Sequence, residues 1–203
     1  MPGHARFTVE ERREHLLELG LRLFAARPYD EISIEEIAHE AGISKGLLYH
    51  YFPSKRDFYV ACLREVAAEL SLITRADPRL SPGERVRASV SAYLGYVQLN
   101  LRNCQAFVRG GIGADPEVAA ITEGTRRAIW ERMLERMGVS SEELLLRVTI
   151  RAWVSFVEIA ALEWAEAGAP EKGQLIEVIV AALVAVIRTS RRPEATPEDR
   201  PRR

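Results

Sequence analysis

Residues 33–55 read SIEEIAHEAGISKGLLYHYFPSK. Ser33 and Ser44 each head a helix-length segment, and each hydroxyl is placed to accept a bond from an amide three residues on. Glu36 stands where it would complete a capping box with Ser33. Gly42 supplies the turn between the segments. Ala38 and Ala41 are small where two helices must cross closely, and Ile34, Ile37, Ile43, Leu48 and Phe52 supply the apolar contacts that fix the crossing. This pattern specifies a helix-turn-helix, with a short second helix whose outer face is left bare.

The chemistry of that outer face suits the major groove of DNA, which is about 12 Å wide and admits one α-helix. Ser44 and Lys45 lie at the helix start, where exposed amides and the helix dipole favour anions. Gly46 removes side-chain bulk, so the backbone can approach a groove. Tyr49, His50 and Tyr51 offer hydrogen bonds and flat apolar faces, and Leu47 suits a thymine methyl group. Lys55 opens the next helix and suits a phosphate. Taken one by one, these residues have plainer readings: Lys55 a solvated charge, Tyr49 a half-buried packing residue, His50 and Leu47 simply exposed. Leu48 and Phe52 belong to the core.

Outward from this segment the chain reads as helix throughout. A first helix starts at Thr8 or Val9 and runs to Ala26, with Leu16, Leu19, Leu23 and Phe24 on one face. Pro28 ends it. After Pro53-Ser54 a longer helix runs to Thr74, turning Phe58, Cys62, Val66 and Leu70 inward. Further helices are predicted over residues 82–102, 103–113, 116–137, 140–166 and 171–188, punctuated by Pro82, Pro116, Gly138, Gly168 and Pro170. The expected fold is all-α, with a three-helix N-terminal unit over residues 1–55 and a larger helical unit over 56–189. Residues 190–203, with alternating charges and three prolines, are expected to be a disordered tail.

The chain has 203 residues, 47% hydrophobic and 28% charged, which is ordinary for a globular protein and excludes disordered and fibrous classes. Cys62 and Cys104 make no disulfide framework and read as buried thiols. The first residues lack the basic and apolar regions of a signal peptide. The most apolar run, 175–187, falls short of the roughly 20 residues of a membrane span, so a cytoplasmic protein without a membrane partner is expected. His4, His15, His39 and His50 lack metal-ligand spacing, so no metal site is predicted. No nucleophile elbow, P-loop or dinucleotide fingerprint is present, so neither an enzyme nor a cofactor is expected. The net charge of −1 argues against a generally basic nucleic-acid binder. Residues 42–56, however, contain Lys45, Lys55 and Arg56 and no acid, a local charge of +3.

The segments Ile37-Ala38, Ala41-Gly42-Ile43-Ser44, Gly46, Leu48-Tyr49, Tyr51-Phe52 and Ser54-Lys55 together resemble the pattern of the TetR family of transcriptional regulators. The resemblance spans residues 10–57, and beyond them only the size and the helical pattern agree. It implies a dimer that binds a palindromic DNA operator and responds to a small-molecule effector, most simply as a repressor. An activator of the same architecture is the alternative, as is a protein-interaction adaptor with a vestigial helix-turn-helix. By resemblance, Ser33, Ser44, Lys45, Gly46, Leu47, Tyr49, His50, Tyr51 and Lys55 face DNA. Glu35 and Glu36 depart from the pattern, being acidic where some members place polar or basic groups, and are not expected as contacts. The effector is expected to be partly apolar, and Tyr93, Tyr96, Phe107, Arg109, Trp130, Trp153 and Glu158 are candidates to line its pocket. The last helix is apolar on nearly two faces, so one face is expected to meet a partner protomer. Trp164, Ile176, Ile179, Val180, Leu183, Val184 and Ile187 are the candidates for that interface.

Overall fold

The computed structural model describes residues 8–109, 115–140 and 142–191. Helix α1 spans Val9–Ala26, and Thr8 caps it in a complete capping box with Glu11. A 3-10 turn over Tyr29–Glu31 leads to α2 (Ile34–Glu40) and α3 (Lys45–Tyr51). The Ser33 hydroxyl accepts from the Glu36 amide at 3.0 Å, as expected, but the Glu36 carboxylate turns away from the cap and pairs with Arg27. The capping box is therefore half formed, because a guanidinium is a stronger partner for a carboxylate than one amide.

The turn between α2 and α3 is a Schellman cap. Gly42 has φ +64°, its amide donates to His39 O, and the Ile43 amide donates to Ala38 O. Leu48 and Phe52 point inward and are almost fully buried. Each such side chain contributes about 1.5–3 kcal/mol of hydrophobic stabilisation. Phe52 meets Phe58 edge-on at 4.8 Å, and Phe24 meets Tyr59 likewise at 4.8 Å. Gly20 lies where α1 crosses α4 (Lys55–Ile73), and a β-carbon there would stand 2.5 Å from Phe58 Cζ and 2.6 Å from Cys62 Sγ.

The remaining helices are α5 (Pro82–Leu99), α6 (Leu101–Arg109), α7 (Pro116–Arg136), α8 (Leu144–Ala167) and α9 (Lys172–Ser190). The helix predicted to reach Arg102 breaks at Asn100, whose side-chain amide donates to Tyr96 O in competition with the helix ladder. Residues 110–114 of the predicted segment 103–113, and the tail from 192, lie outside the described residues.

Helices α8 and α9 pack on each other and α5 packs on both, while α7 packs on α4 and α8. The buried side chains form one continuous cluster from Leu16 in α1 to Leu183 in α9. Helix α9 is long and apolar enough to cross a membrane by length and composition, although residues 175–187 alone fall short. Its apolar breadth has a local cause on the inner side, where Ile176, Ile179 and Leu183 are buried in the protomer.

Candidate nucleic-acid interface and internal cavity

On α3, residues 45, 46, 49 and 50 share one face, and all four are exposed. Tyr49 is 40% exposed although α3 carries a fully buried Leu48 one residue away. Leu47 and Tyr51 are half-buried, and Tyr51 packs against the core with its ring edge-on to His50. Ser33 and Ser44 are exposed N-caps of α2 and α3, with the Ser44 hydroxyl accepting from the Leu47 amide at 3.2 Å. Gly46 has no internal reason to be glycine. A β-carbon there would meet only Ser44 Oγ, at 4.0 Å.

The electrostatics differ from the simple cationic patch of the sequence. Lys45 bonds to Glu35 on the neighbouring helix and lies 5.7 Å from the centre of the Tyr49 ring. That hydrogen bond pulls the Glu35 carboxyl below its ordinary range and raises the Lys45 ammonium. Lys55 sits 4.0 Å over the Tyr29 ring, a cation–π contact. Arg56 turns to Asp115 and Glu117. The local +3 charge is thus partly neutralised within the protomer, because Glu35 is close to Lys45 in space though ten residues away in sequence. Glu36, engaged with Arg27, takes no part.

Between α4, α5, α7, α8 and α9 lies a cavity of about 330 Å³. Of the candidate effector residues, Tyr93, Trp153 and Glu158 line it. Three other candidates lie elsewhere. Tyr96 donates its phenol to Glu69 at 2.5 Å, Phe107 is sealed in the core, and Trp130 packs beneath the Arg147 guanidinium. The side chain of Arg109 lies outside the described residues. The lining also includes Arg85, Arg126, Arg132 and Arg136, which sequence reasoning missed. The second half of α7 carries Arg126, Arg127, Arg132 and Arg136, so position in sequence did not separate cavity-facing from solvent-facing copies.

Arg126 Nε donates to Glu158 at 2.7 Å. Burial raises the Glu158 carboxyl above its ordinary range, and Arg126 opposes that shift. Arg132 donates to Ser71 Oγ at 3.4 Å and to Thr74 Oγ1 at 3.2 Å.

The profile of the tetracyclin repressor-like C-terminal domain matches residues 82–186, and that of tetR-family bacterial regulatory proteins matches residues 16–62. The chain belongs to the TetR family of bacterial transcriptional regulators. A TetR-family regulator from Streptomyces coelicolor is 32% identical with a TM-score of 0.80, covering 91% of this chain and 83% of that one. The transcriptional repressor KstR of Rhodococcus jostii is 25% identical over 190 residues, covering 91% of this chain and 87% of its own. The transcriptional activator FasR of Mycolicibacterium smegmatis is 29% identical over 146 residues. That match covers 67% of this chain and just 65% of FasR.

In this TetR-family chain the candidate dimer residues divide by burial. Trp164, Ile176, Ile179 and Leu183 belong to the protomer's own core. Helix α9 turns Ile176, Ile179 and Leu183 onto α5 and α8, and the Trp164 indole on α8 donates to Pro170 O at 2.7 Å. Val180, Leu183, Val184 and Ile187 line the cavity. Val184 is also exposed on α9, beside Val178, and Leu144, Leu145, Val148, Phe156 and Ile159 are exposed on α8.

Proposed function

We propose that the protein is an effector-responsive repressor that binds a palindromic operator as a homodimer and leaves it when a small molecule fills the cavity. The outward face of α3 carries this reading. Its glycine serves no internal packing purpose, and its polar and aromatic side chains point to solvent around a fully packed inner face. Ser33, Ser44, Lys45, Gly46, Leu47, Tyr49, His50, Tyr51 and Lys55 are the proposed DNA-facing residues. Residues up to 55 form the reading head, and 56–189 sense and dimerise. KstR, matched along 91% of this chain, is named a repressor, and FasR, matched along 67%, an activator.

The exposed stripe of Leu145, Val148, Phe156 and Ile159 on α8, continued by Val178 on α9, is the proposed twofold interface. An apolar face of this kind is costly to leave in water. The same stripe accounts for the outer apolar side of α9 without a membrane, and the protein acts in the cytoplasm where its operator is. Two heads so paired present two α3 helices to successive major grooves, about 34–36 Å apart. Effector release follows if the filled cavity favours a head spacing that no longer fits.

The test is binding of purified protein to its own upstream DNA at moderate salt, with a Tyr49→Ala/Lys55→Ala variant alongside. Sequence-preferred binding lost in an intact dimeric variant supports the regulator. Binding without sequence preference, or a variant that binds as well as the parent, overturns it in favour of the adaptor reading.

A further inference from the structure

The cavity is polarised along its length. Ser89 Oγ donates to Thr74 O at 3.0 Å, and Arg132 donates to the same residue's hydroxyl. Thr74 thereby marks one common level along α5 and α7. On one side of it, Tyr93 of α5 lies near Arg126 and Glu158. On the other side, one helical turn back along α5 from Ser89 is Arg85, and one turn on along α7 from Arg132 is Arg136. Each step is about 6 Å along the axis. Both arginines line the cavity.

The two ends differ in what they lack. At the Tyr93 end the only lining carboxylate among the described residues, Glu158, is already paired with Arg126. At the other end Arg85, Arg132 and Arg136 have no ion pair among the described residues. Arg85 Nε is buried with no hydrogen-bond partner among them. Arg132 has only the two hydroxyls, and burial together with the charges of Arg75 and Arg136 holds its guanidinium below its ordinary value. The partly desolvated guanidinium groups of Arg85 and Arg132 are costly without an anion, an anion relieves that cost, and the exposed Arg136 stands at the same end of the cavity. Between the ends the wall is apolar, with Leu70, Val90, Ile129, Met133 and Val157 among its residues.

We propose that the cavity binds an amphipathic anion, a hydrocarbon body along the apolar wall with a carboxylate or phosphate head at Arg85, Arg132 and Arg136. This rests on the reading of the cavity as the effector site. The planar guanidinium fork matches carboxylate and phosphate oxygens in pairs. A neutral ligand leaves the arginines unmatched, and a cation is repelled by them.

The test is calorimetric titration of the full-length protein, without DNA, with decanoate, decyl phosphate and decan-1-ol. At least one anion is expected to bind about tenfold or more tighter than the alcohol. An Arg132→Gln/Arg136→Gln variant is expected to lose that preference while still binding the alcohol. Preference for decanoate assigns a carboxylic acid, and preference for decyl phosphate a phosphorylated lipid. Arg85→Gln carries the same comparison if the double variant does not fold. The proposal is overturned if neither anion binds, if the alcohol binds as tightly, or if the folded variants keep the anion preference. Release from the operator is read separately. An anion that binds but leaves the operator complex intact upholds the head-group assignment and overturns the effector role.

Discussion

The Arg56 guanidinium closes on Asp115 with two bonds, Nε to Oδ2 at 2.6 Å and Nη2 to Oδ1 at 2.9 Å. The same carboxylate caps α7 by accepting from the Glu117 and Val118 amides. Arg56 lies in the first turn of α4, directly after the reading head, and the far turns of α7 line the cavity. Glu117 adds bonds of 2.8 Å to both Arg56 and Arg64. This cluster joins the start of the helix behind the head to the start of a helix that senses the cavity.

Arg56→Ala is therefore expected to keep the fold and operator binding but to uncouple them from the effector. The ratio of operator affinities without and with decanoate should fall about fivefold or more, a typical coupling range. Fluorescence anisotropy on labelled operator measures it. An unchanged ratio would reduce the cluster to a surface ion pair of little consequence.

The cluster has a defined pH window. The Arg56 guanidinium, with the α7 amides, holds Asp115 down to about 2 from an ordinary 3.8. The folded value lies below the unfolded one, so the stabilisation is complete above about pH 4 and is lost as pH falls towards 2. The gap in melting temperature between the parent and Asp115→Asn is expected to stay constant from about pH 5 to 8 and to close in acid. Thermal melts from pH 8 down to about pH 2 check it.

Gly46→Ala separates reading from folding. Alanine is favoured over glycine in helices by up to about 1 kcal/mol, and the added methyl meets only Ser44 Oγ, at 4.0 Å. The melting temperature should hold or rise. Operator affinity should nevertheless fall by about tenfold, the scale of one lost base contact. A variant that binds as well as the parent would place the groove approach elsewhere.

Glu35→Gln releases Lys45 from its intramolecular counter-charge. Affinity for nonspecific DNA is expected to rise, and the dependence of log affinity on log salt to steepen by up to about one per protomer. A salt titration on a scrambled duplex measures both.

Phe156→Asp and Ile179→Asp distinguish the two sides of the α8–α9 pair. Phe156 is 41% exposed and Ile179 is fully buried. The first variant should give folded monomers in sedimentation. The second should not fold, since a lone carboxylate is forced into the core.

The helix-turn-helix was legible because its determinants are local. Ser33, Ser44, Gly42 and the apolar spacing act within a few residues of one another, and the structure repeats them nearly as read. Glu36 escaped because its choice between the Ser33 cap and Arg27 depends on how α1 approaches α2. Lys45 escaped for the same reason, its partner Glu35 standing on another helix. The cavity was less readable still. Its lining comes from five helices, and the phase of α7 that turns Arg132 inward and Arg127 outward is set by packing on α4 and α8. On α9, apolar residues run nearly all round, so periodicity carries no record of which side is inner. Gly20 gave no signal either, because the constraint is the Phe58 ring pressed against it.

The unbroken cluster from Leu16 to Leu183 bears on how such a chain can be re-engineered. Helix α1 of the head packs on α4 and α6 of the sensing part. The head is not a detachable cartridge. A chimera that transplants another regulator's first 54 residues onto this body must also match the side chains that α4 and α6 offer to α1. The crossing at Gly20 is the first joint to check, because any larger residue there collides with Phe58 before operator specificity becomes a question.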